Sequence, residues 1–287
     1  MSISFAIIGQ KKSENTKDLC KNISQKGYLC QVYSINEIGL DTQDETKNSF
    51  FSHDIYIFRG YNKSLFWAHA LATLLENKNK IIIDSLLTKS VVKTKLEEVS
   101  TLKINNIPHP RTYYAQSAQA WKTVLQHTEF PIIYKRIDGQ QGQDIYKFDD
   151  KDSLFAFITN NYKGFLAQEY IESNGDIRVF IVGNTVLGAI KRFVVENDFR
   201  SNASLGSQTE IYNLTDKETD LALNAHNSIG YDISGVDIIF DKDNNPFVLE
   251  INHTPQWQAF KKTTGINPAE EIINFALQKY EEKNRVL

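Results

Sequence analysis

Cysteine is nearly absent: Cys20 and Cys30 are the only two in 287 residues, ten apart, with no C-x-x-C spacing. That excludes a disulfide-stapled scaffold and a thioredoxin-type motif, and two buried free thiols are expected. The six histidines (53, 69, 109, 127, 226, 253) show no H-x-x-x-H or His/Cys grouping, which argues against a zinc centre. Charge of one sign is lacking too. A formal net charge of −3 gives no electrostatic reason for binding nucleic acid. No apolar run approaches the ~20 residues of a membrane span. The opening Met-Ser-Ile-Ser-Phe-Ala-Ile-Ile-Gly lacks a positive start and reads as a first strand, not a signal peptide. Two nucleotide fingerprints are also missing: Gly9 begins no G-x-G-x-x-G, and no G-x-x-x-x-G-K-[ST] occurs. There is no internal repeat or low-complexity tract. What remains is a chain of ordinary globular composition, 41% hydrophobic and 23% charged, long enough for two or three packed units. A cytoplasmic protein is expected, with neither a nucleic-acid nor a membrane partner.

The most informative stretch is 235–252. Two apolar runs, 236–240 and 247–251, flank the turn-rich Asp241 to Pro246, the signature of a β-hairpin. If Phe240 pairs with Phe247, Asp237 falls opposite Glu250, and alternation puts Asn252 on the Glu250 face. Facing carboxylates repel. A hard divalent cation reverses that sign, because Mg²⁺ takes oxygen ligands from one or two carboxylates plus substrate phosphates. The competing reading has one acid pointing to solvent in a register shifted by a step or two.

Upstream, strands at 3–9, 28–33, 54–58 and 81–84 alternate with helices at 13–26 and 62–77, predicting an open α/β layer with parallel pairing. Thr88 to Lys93 reads as a linker, so a boundary is placed near residue 88. Thr94 with Glu97 forms a capping box for a helix reaching Asn106. Lys95, in its first turn, opposes the helix dipole, which suits either a surface lysine or a phosphate ligand. Lys135 lies inside the apolar strand of 131–137, where an unpaired ammonium is costly. Gly139 and Gly142 bracket a loop able to approach phosphates, though plain hairpin turns look the same. In 165–171 the pair Gln168–Glu169 is embedded in an apolar run, expected as a short edge strand offering backbone groups to a base. Gly183-Asn184 turns a hairpin that sets Asp176 opposite Lys191, a cross-strand ion pair or a ribose and phosphate contact. Loop 198–207 offers Arg200 and Asn202 to anions. Thr215 with Glu218 caps a helix that stops at Gly230, and Pro268 starts a last amphipathic helix.

Taken together, Lys95, Tyr134-Lys135-Arg136 with Gly139–Gly142, Gln168-Glu169-Tyr170-Ile171, Asp176-Ile177-Arg178, Asp198–Asn202, Gly235-Val-Asp237, Leu249-Glu-Ile-Asn252 and Lys262–Ile266 form an ordered set over residues 88 to 280. The chain resembles the ATP-grasp superfamily and, within it, the RimK-type α-L-glutamate ligases. That resemblance implies an α/β (α+β ATP-grasp) fold: a Rossmann-like pre-ATP-grasp domain (1–88), a central lobe with the glycine loop (89–165) and a C-terminal lobe with the metal site (166–287). It implies that Lys95, Lys135 and Gly139, Gln140, Gln141, Gly142 contact ATP phosphates. Gln168, Glu169, Tyr170 and Ile171 would line the adenine pocket, with Asp176 and Lys191 by the ribose and phosphates. Asp237, Glu250 and Asn252 would hold Mg²⁺ (Mn²⁺ substituting), and Arg178, Arg192, Arg200 and Asn202 would face the reacting groups. The chain departs from the family's pattern at Gly206, a single glycine, and at His253-Thr-Pro-Gln-Trp257, both beside the acceptor site.

The implied activity is an ATP-dependent carboxylate–amine ligase acting through an acyl phosphate. It would add glutamate or a similar amino acid to a protein C-terminus or a small carboxylate-bearing acceptor, with homo-oligomerisation left open. A kinase of the same fold would yield a phosphoester instead, and a non-catalytic nucleotide-binding module would yield no product.

Overall fold

The structure is a computed structural model, and it describes residues 2–41, 43, 49–61, 64–89, 94–137, 139, 144–194 and 208–286. Three sheets follow one another along the chain.

The first sheet has strands β1 (Ser4–Ile8), β2 (Leu29–Tyr33), β3 (Ile55–Phe58) and β4 (Ile81–Ile83), all parallel in the order β2-β1-β3-β4. Helices α1 (Glu14–Gln25) and α2 (Leu65–Asn77) supply the crossovers. β1, β3 and β4 are buried at every position except Ser4, as expected for a parallel sheet covered on both faces. Cys20 on α1 and Cys30 on β2 are joined as a disulfide, Cα to Cα 5.7 Å, correcting the expectation of free thiols. The ten-residue spacing spans a helix returning onto its neighbouring strand, a proximity that sequence distance conceals.

Helix α3 (Lys95–Ile104) leads into the second sheet, with both halves of the Thr94–Glu97 capping box formed. That sheet contains β5 (Thr112–Tyr113), β6 (Ile132–Arg136), β7 (Ile145–Phe148) and β8 (Phe165–Glu169) in the order β5-β8-β6-β7. It is covered by α4 (Ala118–Val124) and α5 (Lys151–Ile158), around a core containing Trp121, Tyr134, Leu154 and Phe165. β8 is therefore no edge strand: β5 and β6 pair with it on either side. The two-residue β5 is too short to announce itself in sequence.

The third sheet has β9 (Gly175–Val182), β10 (Thr185–Phe193), β11 (Thr209–Tyr212), β12 (Ile233–Phe240) and β13 (Pro246–Asn252), ordered β11-β10-β9-β12-β13. Helix α6 (Asp216–Ile229) has its own capping box at Thr215–Glu218 and ends at Gly230 in the left-handed region. Both hairpins contain a bulge. In β12–β13, Asp237 does pair with Glu250, but beyond Leu249 the register slips, so Phe240 meets Pro246 instead of Phe247. In β9–β10 the extra residue is Leu187, so Asp176 sits opposite Arg192, and Lys191 faces Ile177. The expected Asp176–Lys191 pairing is thereby corrected; a one-residue slip moves a side chain to the other face. Lys191 instead lies 5.1 Å from the Phe193 ring centroid.

One face of this sheet (Ile177, Val179, Val236, Ile238, Val248, Ile251) packs on α6 and Leu102 of α3. The opposite face is divided. Phe180, Val182, Ile190 and Ile233 join β1, β3 and β4 residues in one core, together with α7 (Gln258–Thr264) and α8 (Pro268–Val286). Further along the same face, alternation brings Asp176, Arg178, Arg192 and Asp237 into register. The apolar half fixes the sheet, and the ionic half builds the site.

Gly175 opens β9 at φ 139°, where a Cβ would fall 2.0 Å from the Arg192 carbonyl oxygen. Gly175→Ala is expected to cost about 2–4 kcal/mol, read as a lowered denaturant midpoint with unchanged slope.

Candidate active site

Asp237 is held by two arginines. Arg178 donates from Nε and Nη2 to its two carboxylate oxygens, each at 2.7 Å. Arg192 Nη2 lies 3.0 Å from Oδ2 and is itself gripped bidentately by Asp176 at 2.6 Å. Asp176, Arg192 and Asp237 are all buried, so their charges are compensated within the sheet, two acids against two arginines. Burial alone would raise the Asp237 carboxyl, but the arginines bring it below the usual range. The same acids raise Arg192 above its ordinary value despite its burial. Asn252 Nδ2 adds a 3.2 Å contact to Asp237 Oδ2.

A second cluster adjoins it. Lys95 Nζ donates to Glu250 Oε1 at 2.6 Å, and Lys135 Nζ donates to Gln168 Oε1 at 2.8 Å. A cleft lined by Lys95, Glu98, Lys135 and Glu250 with Val99, Leu102 and Leu249 brings helix α3 and strands β6 and β13 together. Burial works against the Lys95 charge, but Glu250 and Glu98 outweigh it and raise its pKa. For Lys135, burial and then Lys95 lower the ammonium to about 8. Burial opposes the Glu250 charge as well, yet Lys95 and Lys135 bring it down. Glu98, buried one helical turn from Lys95, is pushed by burial to about 8. Sequence reasoning missed Glu98; the i, i+3 spacing from Lys95 was the available signal.

The two facing acids are thus already compensated by Lys95, Arg178 and Arg192, neighbours that the two-strand reading of the sequence did not bring in. Among the described residues no group of three or more His, Cys, Asp and Glu is arranged to hold a metal. Asp237, Glu250 and the Asn252 amide nonetheless present oxygen donors on one face. That set fits Mg²⁺, which completes its shell from water and phosphate.

Other expected residues fall as follows. Gln168 is buried, holding Lys135 and donating to Thr112 Oγ1 at 3.0 Å, so its side chain supports the lysine rather than lining a base pocket. Glu169 Oε1 accepts from the Arg111 backbone N–H, and the Tyr170 ring lies 4.7 Å from Lys147 Nζ. Ile171 follows β8 and is partly buried. The Asp176 carboxylate is committed to Arg192 in place of an open ribose contact. Gly139 N–H donates to the Arg136 carbonyl at 3.4 Å. Gln140, Gln141, Gly142, Arg200, Asn202 and Gly206 lie outside the described residues.

With this geometry in view, a match to the RimK-like ATP-grasp domain spans residues 92–276. The chain belongs to the RimK-like ATP-grasp family. It is 30% identical over 206 residues to a probable alpha-L-glutamate ligase of Haemophilus influenzae (strain PittEE), covering 70% of this chain and 68% of that protein. A probable alpha-L-glutamate ligase of Vibrio atlanticus (strain LGP32) is 31% identical over 216 residues, covering 73% and 71%. Among solved structures, the ATP-grasp ligase PsnB with its minimal precursor superposes at a TM-score of 0.76 and 17% identity, over 96% of this chain and 99% of that one. The D-alanine--D-alanine ligase from Bacillus anthracis does so at 0.71 and 16%, over the whole of both chains. These likenesses show the ATP-grasp fold. Family membership makes this RimK-like protein an ATP-binding enzyme of the ligase class, whose chemistry is ATP-dependent carboxylate–amine ligation. No helix among the described residues is long and apolar enough to cross a membrane.

Two outcomes test the site. Arg192→Met leaves Asp176 without its bidentate partner and should cost about 3–5 kcal/mol of stability in chemical denaturation. Lys135 is cationic below about 8 and neutral above it. Nucleotide affinity should therefore weaken as pH rises through 8, by at most about tenfold per unit, and Lys135→Arg should flatten that limb in a titration from pH 6.5 to 9.5.

Proposed function

We propose that this RimK-like enzyme joins the amine of an amino acid, glutamate by analogy with the names of its relatives, to a carboxylate on a small-molecule or protein acceptor. The acceptor's carboxylate oxygen bonds to the γ-phosphorus of ATP as the bond to the bridging oxygen breaks, releasing ADP and leaving an acyl phosphate. The amine then attacks the acyl carbon, inorganic phosphate departs, and the amine's proton passes to a phosphate or substrate oxygen. Positioning and charge neutralisation dominate such transfers.

The observation that carries this reading is the convergence of Lys95 and Lys135 on one cleft with Glu250, beside Asp237. Lys95 and Lys135 meet charge on the transferring phosphoryl group. Arg178 and Arg192 stabilise the adjoining carboxylates and anionic groups. Gln168 keeps Lys135 aimed. Asp237, Glu250 and Asn252 would hold Mg²⁺, which when bound supplies charge neutralisation across the β- and γ-phosphates; Mn²⁺, which takes similar oxygen ligands, would substitute. A related chain, PsnB, was solved with Mg and ADP. As working units we take residues 1–88, 89–165 and 166–287, and we place the enzyme in the cytoplasm.

The test is ADP release by purified protein with Mg-ATP, screening each amino acid against candidate acceptors and weighing the products by mass spectrometry. An amide adduct with stoichiometric ADP is expected. Glu250→Gln should abolish turnover while leaving the circular dichroism spectrum unchanged; turnover at the wild-type rate would refute the assignment.

A further inference from the structure

Four buried side-chain atoms find no hydrogen-bond partner among the described residues, and three belong to one wall: Arg59 Nη1, Asp84 Oδ1 and Tyr231 OH. The fourth, His53 Nδ1, is elsewhere in the first unit. Arg59 directly follows β3, and its backbone N–H donates to the Ile8 carbonyl at 2.6 Å. It therefore stands at the carboxyl ends of β1 and β3, where the order of this parallel sheet reverses. Open α/β sheets take ligands at such a point. Here that point meets the segment after Asn252: Arg59 Nη2 donates to the Pro255 carbonyl at 2.6 Å, and the guanidinium lies 4.8 Å over the Trp257 ring.

The charge of Arg59 is poorly met. Its nearest acid, Asp84, accepts a hydrogen bond from Tyr61 and is held by burial up at about 7. Burial in turn lowers Arg59 to about 10. An ordered water could satisfy one N–H but would leave the cation uncompensated, at a cost of several kcal/mol. An anion would meet both needs. The wall also adjoins the phosphate cleft. The His253 ring sits between Tyr61 and Tyr231, with centroids 5.7 and 5.5 Å away, and it feels the charges of Arg59, Glu250 and Lys95 together. Gly235 leaves room for this packing, since a Cβ there would lie 3.0 Å from Pro255 and 3.3 Å from Arg178.

We infer that Arg59 Nη1 and the Tyr231 hydroxyl form a carboxylate subsite for the amino acid whose amine enters the new bond, holding its non-reacting α-carboxylate. The identity of the ligand as an amino acid rests on the ligase reading above; the subsite itself rests on the unpaired donors. Both donor atoms are buried, and the His253 ring packs against Tyr231. The N-terminal unit thereby contributes directly to substrate choice, through a residue outside the 92–276 match.

The experiment is calorimetric titration of the full chain, with Mg²⁺ and a non-hydrolysable ATP analogue, using each of the twenty common L-amino acids. The α-amide of whichever binds is then titrated. Arg59→Ala should weaken amino-acid binding roughly 30-fold and Tyr231→Phe roughly 3- to 10-fold, with analogue affinity unchanged. The α-amide should bind wild type as weakly as the acid binds Arg59→Ala, and guanidinium ion should restore part of the loss. Tyr231→Phe removes a hydroxyl that faces Glu98 without a well-formed hydrogen bond, so it tests the idea even if Arg59→Ala fails to fold. Absence of amino-acid binding, equal affinity for acid and α-amide, or indifference to the Tyr231 change overturns the subsite. Arg59-dependent binding without any amide product would refute the ligase reading and leave the subsite standing; amide formation indifferent to both residues would do the reverse.

Discussion

The pairing of Asp237 with Arg178 and Arg192 organises the whole site. Three neighbouring strands must be in one register for a carboxylate on β12 to meet guanidinium groups on β9 and β10. The second acid of the group, Asp176, completes the neutralisation, so three buried charged groups and the half-buried Arg178 carry no net charge. Any ligand or ion reaching Asp237 enters a network that is already balanced. It must therefore redistribute the arginines' hydrogen bonds rather than supply missing ones.

Lys95 and Glu250 impose the complementary constraint from the other side. Their contact joins the first turn of α3 to Glu250, third from the end of β13, and the Thr94–Glu97 box fixes where that turn begins. An exposed capping motif thus determines the position of a half-buried lysine. Glu250, and after it Glu98 one helical turn away, raise the Lys95 ammonium above its ordinary value against the opposing effect of burial.

Much of this was legible in the sequence. Capping boxes at Thr94 and Thr215, the stop at Gly230 and the facing of Asp237 and Glu250 are local or two-strand properties, set by a few residues and an alternation of two. The two bulges were not legible: nothing about Leu187 or Leu249 marks it as the extra residue, and only the twist shared by paired strands selects it. The bulge at Leu187 matters most, since it exchanges Lys191 for Arg192 as the partner of Asp176. The interior place of β8 and the fold-back joining Cys20 to Cys30 depend on which distant segments become neighbours. For the same reason Arg59, Tyr231 and His253 carried no mark of a shared wall.

Helix α8 is the last element of the chain, yet it packs on α1 and β4, and Ala269, Ile272, Ile273 and Ala276 share a core with Phe5 and Ile57. During synthesis the opening unit emerges with one apolar face uncovered. It stays so until nearly two hundred further residues have left the ribosome. Loss of α8 therefore uncovers apolar side chains of β1, β3 and β4, so the stability of residues 1–88 is coupled to a helix far downstream.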